Sequence, residues 1–260
     1  MFTWRHFVWL FLCFLIVVSL VKAYKSKRPS LLQVLTSACV ICVASELCKV
    51  FSVVEMVPSA GGKLIFPYIP RNHLPLHFCS IQLLIILYTR LTGNERKRKA
   101  LLAFLCPTSV LGGIMALLMP SIFNTTIPVE KAFTAPVSYQ FFFYHTMMVA
   151  LGLIILLSGE VHWTRKQMHT TILAVWGMAF ASLYINSIMA EPTYIDGELV
   201  SVDFGTNFFF TIMNPLGIPL TQKWQWIVYL LLIAALSGIL IAAFHELFIF
   251  RKSKKTDGKN

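Results

Sequence analysis

Long apolar runs, broken by short polar stretches at fairly even intervals, dominate the chain. A run of roughly 20 apolar residues is long enough to cross a membrane as a helix. Seven such runs occur, over about 4–23, 31–54, 74–90, 99–122, 137–158, 168–190 and 224–250. The pattern predicts an all-α fold, a polytopic membrane bundle of about seven transmembrane helices. Residues 1–250 read as one transmembrane helical domain and 251–260 as a basic cytoplasmic tail. Pro75 suits the first turn of the third helix, where its missing N–H has no partner to lose. That start places Cys79 about one turn inside the helix, near the positive end of its dipole. Pro107 and the Gly112-Gly113 pair predict a kink in the fourth helix.

Composition agrees: 57% of residues are apolar and 13% charged, with a mean hydropathy of +0.72. A soluble domain needs more charge than that to coat its surface. The net charge of +11 would suit nucleic acid, but its distribution argues otherwise. Sixteen of the 22 Lys and Arg fall in four places: Lys22 to Arg28, Arg90 to Lys99, Arg165-Lys166 and Arg251 to Lys259. Glu55, Glu130, Glu191, Asp196, Glu198 and Asp203 lie in the alternate loops. The positive-inside rule therefore puts the N-terminus outside and the C-terminus in the cytoplasm of a multi-pass cell-membrane protein. Membrane lipids, and no nucleic acid, are the expected partners. Arg5 alone precedes the first run and four basic residues follow it, so that run is expected to be an uncleaved helix.

The six cysteines, at 13, 39, 42, 48, 79 and 106, all fall within apolar runs. No disulfide framework is indicated, and Cys39 and Cys42 read as packing residues. The chain carries no P-loop, GxGxxG, HExxH or GxSxG. No cofactor and no metal are expected; His73 and His77 have ligand spacing, but Pro75 stands between them.

Polar residues at membrane depth are candidates for function because burial without a partner is costly. At 1.5 Å per residue, His77 and Cys79 lie within about 8 Å of the outer end of the third helix, and His145 about 12 Å below that of the fifth. Glu46 falls in the outer half of the second, and Asn186 near the outer end of the sixth. These residues share one leaflet. Glu46 also has Lys49 one turn away as an ion-pair partner, and Asn186 is a suitable interhelical hydrogen-bonder. His77 and Cys79, two apart, point in nearly opposite directions on a regular helix. A base for Cys79 is therefore expected from another helix, with His145 the natural choice. Gln82 shares the Cys79 face. The loop 191–223 contains FGTNFFFTIM, residues 204–213, which is too short to span. It reads as either a lipid-dipping loop or a lid with Asn207 reaching inward, and Trp224 and Trp226 anchor the helix that follows. Asn124-Thr125-Thr126 is a glycosylation sequon.

LPLHFCSIQ, the histidine of YHTMMVALG, and GTNFFFTIMNPLG followed by WQW resemble the YwaF family of bacterial integral membrane proteins. That family is related to the eukaryotic transmembrane protein 164 group. The resemblance runs over roughly residues 30–235, and SELCKV around Glu46 takes part. It implies an acyltransferase that remodels phospholipids through a cysteine and a histidine, here Cys79 and His145. In the eukaryotic motif histidine follows the cysteine; here His77 precedes Cys79 and Ser80 follows it, which leaves the role of His77 open.

The leading expectation is therefore acyl transfer on a lipid at the outer leaflet, with Cys79 as nucleophile and His145 as base. His77, Asn186 or Asn207 would supply oxyanion stabilisation. A small transporter or lipid flippase, with Glu46 and His145 relaying protons, is the alternative from another class. A seven-helix receptor or scaffold is a third. The oligomeric state is not legible in the residues.

Overall fold

Capping groups set the helix ends that apolar runs leave undefined. Ser30 and Gln33 bond reciprocally at the start of the second helix, and Thr164 and Gln167 repeat the device at the start of the sixth. Asn94 caps the fourth through the amide of Lys97 at 3.0 Å. The computed structural model describes residues 2–58, 62, 64–161, 163–215 and 218–257, and for 124, 125 and 249–257 the backbone alone. The side chains of Asn124 and Thr125 in the sequon, and those of the basic tail, thus lie outside what is described.

The helices are α1 (Trp4–Lys27), α2 (Leu31–Val53), α3 (Phe78–Leu91), α4 (Glu95–Leu118), the single turn α5 (Ile122–Thr125), α6 (Pro136–Ser158), α7 (Arg165–Ile188) and α8 (Lys223–Asp257). Among the described residues seven helical segments are long and apolar enough to cross a membrane, the third counted from Arg71. The all-α membrane bundle is thus observed. Two exposed antiparallel hairpins were not foreseen: β1 (Glu55–Pro58) with β2 (Ile65–Tyr68), and β3 (Glu191–Ile195) with β4 (Glu198–Asp203).

α6 is the centre of the bundle, packed against α1, α2 and α4, and it buries 67% of its most apolar stretch. A helix that is hydrophobic all round belongs in the middle. Two glycines let α4 and α6 approach closely. A Cβ on Gly113 would sit 2.7 Å from Val149 Cγ2 and 3.0 Å from the His145 carbonyl oxygen; one on Gly152 would sit 2.6 Å from Val110 Cγ2 and 2.8 Å from the Cys106 carbonyl oxygen. The contact is reciprocal, as small-residue packing between membrane helices requires. α4 continues as one helix through Pro107. On the far side of α6, Trp9 of α1 stacks on Phe142 with ring centroids 4.6 Å apart and donates to the Ala132 carbonyl at 3.0 Å.

Contacts between distant helix ends fix which loops share a side. Arg90 at the end of α3 donates to Thr36 near the start of α2 at 2.6 Å, and Arg165 at the start of α7 meets Glu246 of α8 at 3.1 Å. The basic loops thus gather on one side of the bundle, which the positive-inside rule assigns to the cytoplasm.

Candidate functional site

The local sequence RNHLPLHF does not begin a helix at Pro75. Arg71–His73 forms a 3-10 turn, and α3 starts only at Phe78, with His77 as its N-cap in extended conformation. Pro75 lies in the connecting turn. Cys79 is therefore the second residue of α3 rather than one turn inside, still at the positive end of the helix dipole. His73 and His77 lose their helical spacing for the same reason. Among the described residues no group of three His, Cys, Asp or Glu side chains is arranged to hold a metal.

α6 supplies the opposite wall. The Tyr144 hydroxyl donates to the Cys79 carbonyl at 2.6 Å and so fixes the first turn of α3 against α6. His145 follows directly, nearly fully buried, with Nδ1 2.8 Å from the Phe141 carbonyl. A carbonyl only accepts, so Nδ1 carries the proton, and the neutral ring leaves Nε2 bare. His77 is the mirror case: its Nε2 donates to the Asn72 carbonyl at 2.9 Å, leaving Nδ1 bare. Each presents one nitrogen able to accept a proton. Among the described residues, no hydrogen bond joins the Cys79 thiol to either ring.

α2 adds charge. Glu46 and Lys49 form the half-buried ion pair expected from their spacing, at 2.6 Å. The spacing alone marks Lys49 only as a partner for Glu46. Gln140 of α6 reaches Ser45 at 2.8 Å beside this pair. Gln82 is fully buried, and its amide oxygen accepts from Ser109 of α4 at 3.0 Å.

The loop 204–213 forms the roof. Phe208 is fully buried and meets the His77 ring edge-on at 4.8 Å, while Phe209 lies 5.4 Å from Phe78. Phe209 and Phe210 adopt positive φ, of 57° and 55°. That costly backbone for non-glycine residues needs firm support. Asn186 gives it: its amide donates to the Phe208 carbonyl at 3.1 Å and to Thr211 Oγ1 at 3.0 Å. Its oxygen accepts from Thr206 Oγ1 and the Phe208 amide, each at 3.0 Å. The side chain is saturated by the loop, and Asn186 is not aimed at open space. Asn207 is likewise committed, with its oxygen accepting from the Ile212 and Met213 amides and its nitrogen donating to the Met213 carbonyl. It closes its own turn and does not reach inward. Trp226 donates to the Thr211 carbonyl at 3.0 Å and Tyr229 to that of Phe210 at 2.5 Å. Arg71, which the sequence did not single out, donates to the Met189 carbonyl and pairs with Glu191 at 2.7 Å.

The model of the TMEM164 family matches residues 1–245 of the chain. The chain belongs to the TMEM164 family. That match contains every element of the arrangement just described, from the α2 ion pair to the loop and Tyr229. No curated protein and no solved structure matches this TMEM164-family chain.

Proposed function

We propose that this TMEM164-family protein transfers acyl chains between lipids at the outer leaflet, with Cys79 as nucleophile and His145 as base. The observation that carries the reading is the setting of Cys79. It sits at a helix start, held to α6 one residue before His145 and beneath an apolar roof. Cys79 Sγ would attack the ester carbonyl carbon of a donor lipid while its proton passes to the bare Nε2 of His145. The tetrahedral intermediate collapses when the lysolipid oxygen leaves with that proton, and a thioester remains. The hydroxyl of an acceptor lysolipid then gives its proton to His145, attacks the thioester carbon and releases the Cys79 thiol. The positive end of the α3 dipole stabilises the negative charge that develops near the sulfur. Thiol and imidazole, unbonded at rest, close on each other when substrate enters, as catalytic pairs commonly do.

The test compares lipid profiles of membranes from matched cells expressing wild type, Cys79→Ala and His145→Ala at equal levels. Acyl species that change with wild type should stay at background with Cys79→Ala. His145→Ala should lower their formation by about 10²–10⁴-fold. Three identical profiles would remove the covalent mechanism and favour transport.

A further inference from the structure

The basic side of the molecule carries a cavity of about 560 Å³ between the first turns of α4 and α7. It lies at the opposite end of the bundle from Cys79 and is independent of the acyl-transfer reading. Arg96, Lys99, Ala100 and Lys166 are among its lining, with Arg96, Ala100 and Lys166 exposed, while Phe104 is half-buried and Thr171 buried. Thr171 is six residues beyond Arg165, or about 9 Å along the helix axis.

Its charges are not equivalent. Lys99 is taken by Glu95 at 2.6 Å, which also neutralises the one carboxylate in the lining. Arg96 and Lys166 make no ion pair among the described residues. The N-terminal ends of two long helices converge on the same space, each with the partial positive charge that makes such ends anion sites.

Thr171 gives the independent sign of a ligand. It is 2% exposed, yet its hydroxyl makes no hydrogen bond among the described residues. A helical threonine usually bonds back to the carbonyl four residues earlier, and its neighbour Thr170 does so at 2.9 Å. Thr171 instead lines the cavity with its hydrogen-bonding capacity unused.

We propose that this cleft binds the phosphate of an anionic phospholipid from the cytoplasmic leaflet. Arg96, Lys166 and the two helix ends take the phosphate oxygens, the Thr171 hydroxyl takes the glycerol ester region, and Phe104 with Ala100 lies along the start of an acyl chain. The apolar inner wall selects a lipid over free phosphate.

The test uses the full chain in neutral detergent, titrated with short-chain phosphatidylglycerol, its phosphatidylcholine counterpart or inorganic phosphate. Saturable binding of phosphatidylglycerol is expected, with at least about tenfold preference over phosphatidylcholine. Arg96→Gln with Lys166→Gln should weaken it by about tenfold or more. Thr171→Val, which keeps shape and charge, should weaken it severalfold. Lys22→Gln with Lys25→Gln, a pair of exposed lysines at the C-terminal end of α1, should leave it unchanged. Arg96 and Lys166 are exposed, so both double variants should keep the wild-type melting temperature. Equal losses from the two double variants would reduce the effect to general surface charge and overturn the proposal. Tight binding of inorganic phosphate without preference for the lipid would also overturn it, as would Thr171→Val binding like wild type.

Discussion

A primary amide has two donors and two strong acceptor positions, and Asn186 uses all four on the loop 204–213. Asn186→Leu would leave the Phe208 amide without its partner, and the Phe208 carbonyl with only Thr211, at a cost of about 1–3 kcal/mol. The loop's other anchors remain (Ser182 of α7, the aromatic contacts of His77 and Phe78, and Trp226 and Tyr229 of α8), so the expected result is local: faster amide exchange over 204–213, with α4 and α6 as protected as in wild type. Hydrogen exchange measured by mass spectrometry decides this, and unchanged exchange in the loop would refute the anchoring role. At this scale the sequence was legible in part. Polarity in an apolar run marked Asn186, His145 and Cys79 as residues needing partners. It could not name those partners, since Thr206, Thr211 and Tyr144 come from other segments and are unremarkable where they stand. The pairing of Glu46 with Lys49 was legible because both ends lie on one helix turn. Arg71 was missed because it precedes the helix start and finds Met189 and Glu191 only after folding.

Among the elements, the α4–α6 contact is the least tolerant of added volume. Gly152→Ala would push a methyl group against the Cys106 carbonyl, which is backbone and cannot turn aside. A loss of about 1–3 kcal/mol is expected. Gly177 of α7 has nothing within 4 Å of its would-be Cβ, so Gly177→Ala should be neutral or stabilise by up to about 1 kcal/mol. Thermal melts of the two variants in one detergent should separate in that order; equal melting temperatures would show that the close approach is not stabilising. The seven long helices were readable because each repeats one instruction over about 20 residues. The hairpins were not, since strands of four to six residues with Pro58, Pro67 and Pro192 look like loop. One signal was available: Asp196-Gly197, at φ of 53° and 82°, is a recognised two-residue hairpin turn. The start of α3 was misplaced for a related reason. Pro75 favours a first turn but equally suits an extended connection, and the backbone takes the second option.

For the whole molecule, charge and connectivity make one prediction. A reporter fused after residue 257 should be active only on the cytoplasmic side, and a tag before Trp4 should be reached by antibody added outside intact cells. The reverse pattern would invert the leaflet assigned to Cys79 and to the basic cleft alike. The bundle also has an order in time, because chains are made from the N-terminus and domains gain structure as they emerge. His77, Phe78 and Asn186 all precede residues 204–213, so the seat for the loop exists before the loop is synthesised. Trp226 and Tyr229, which fasten it from the other side, arrive last. A chain truncated just before Trp226 would therefore carry a roof seated on its first contacts but not yet latched.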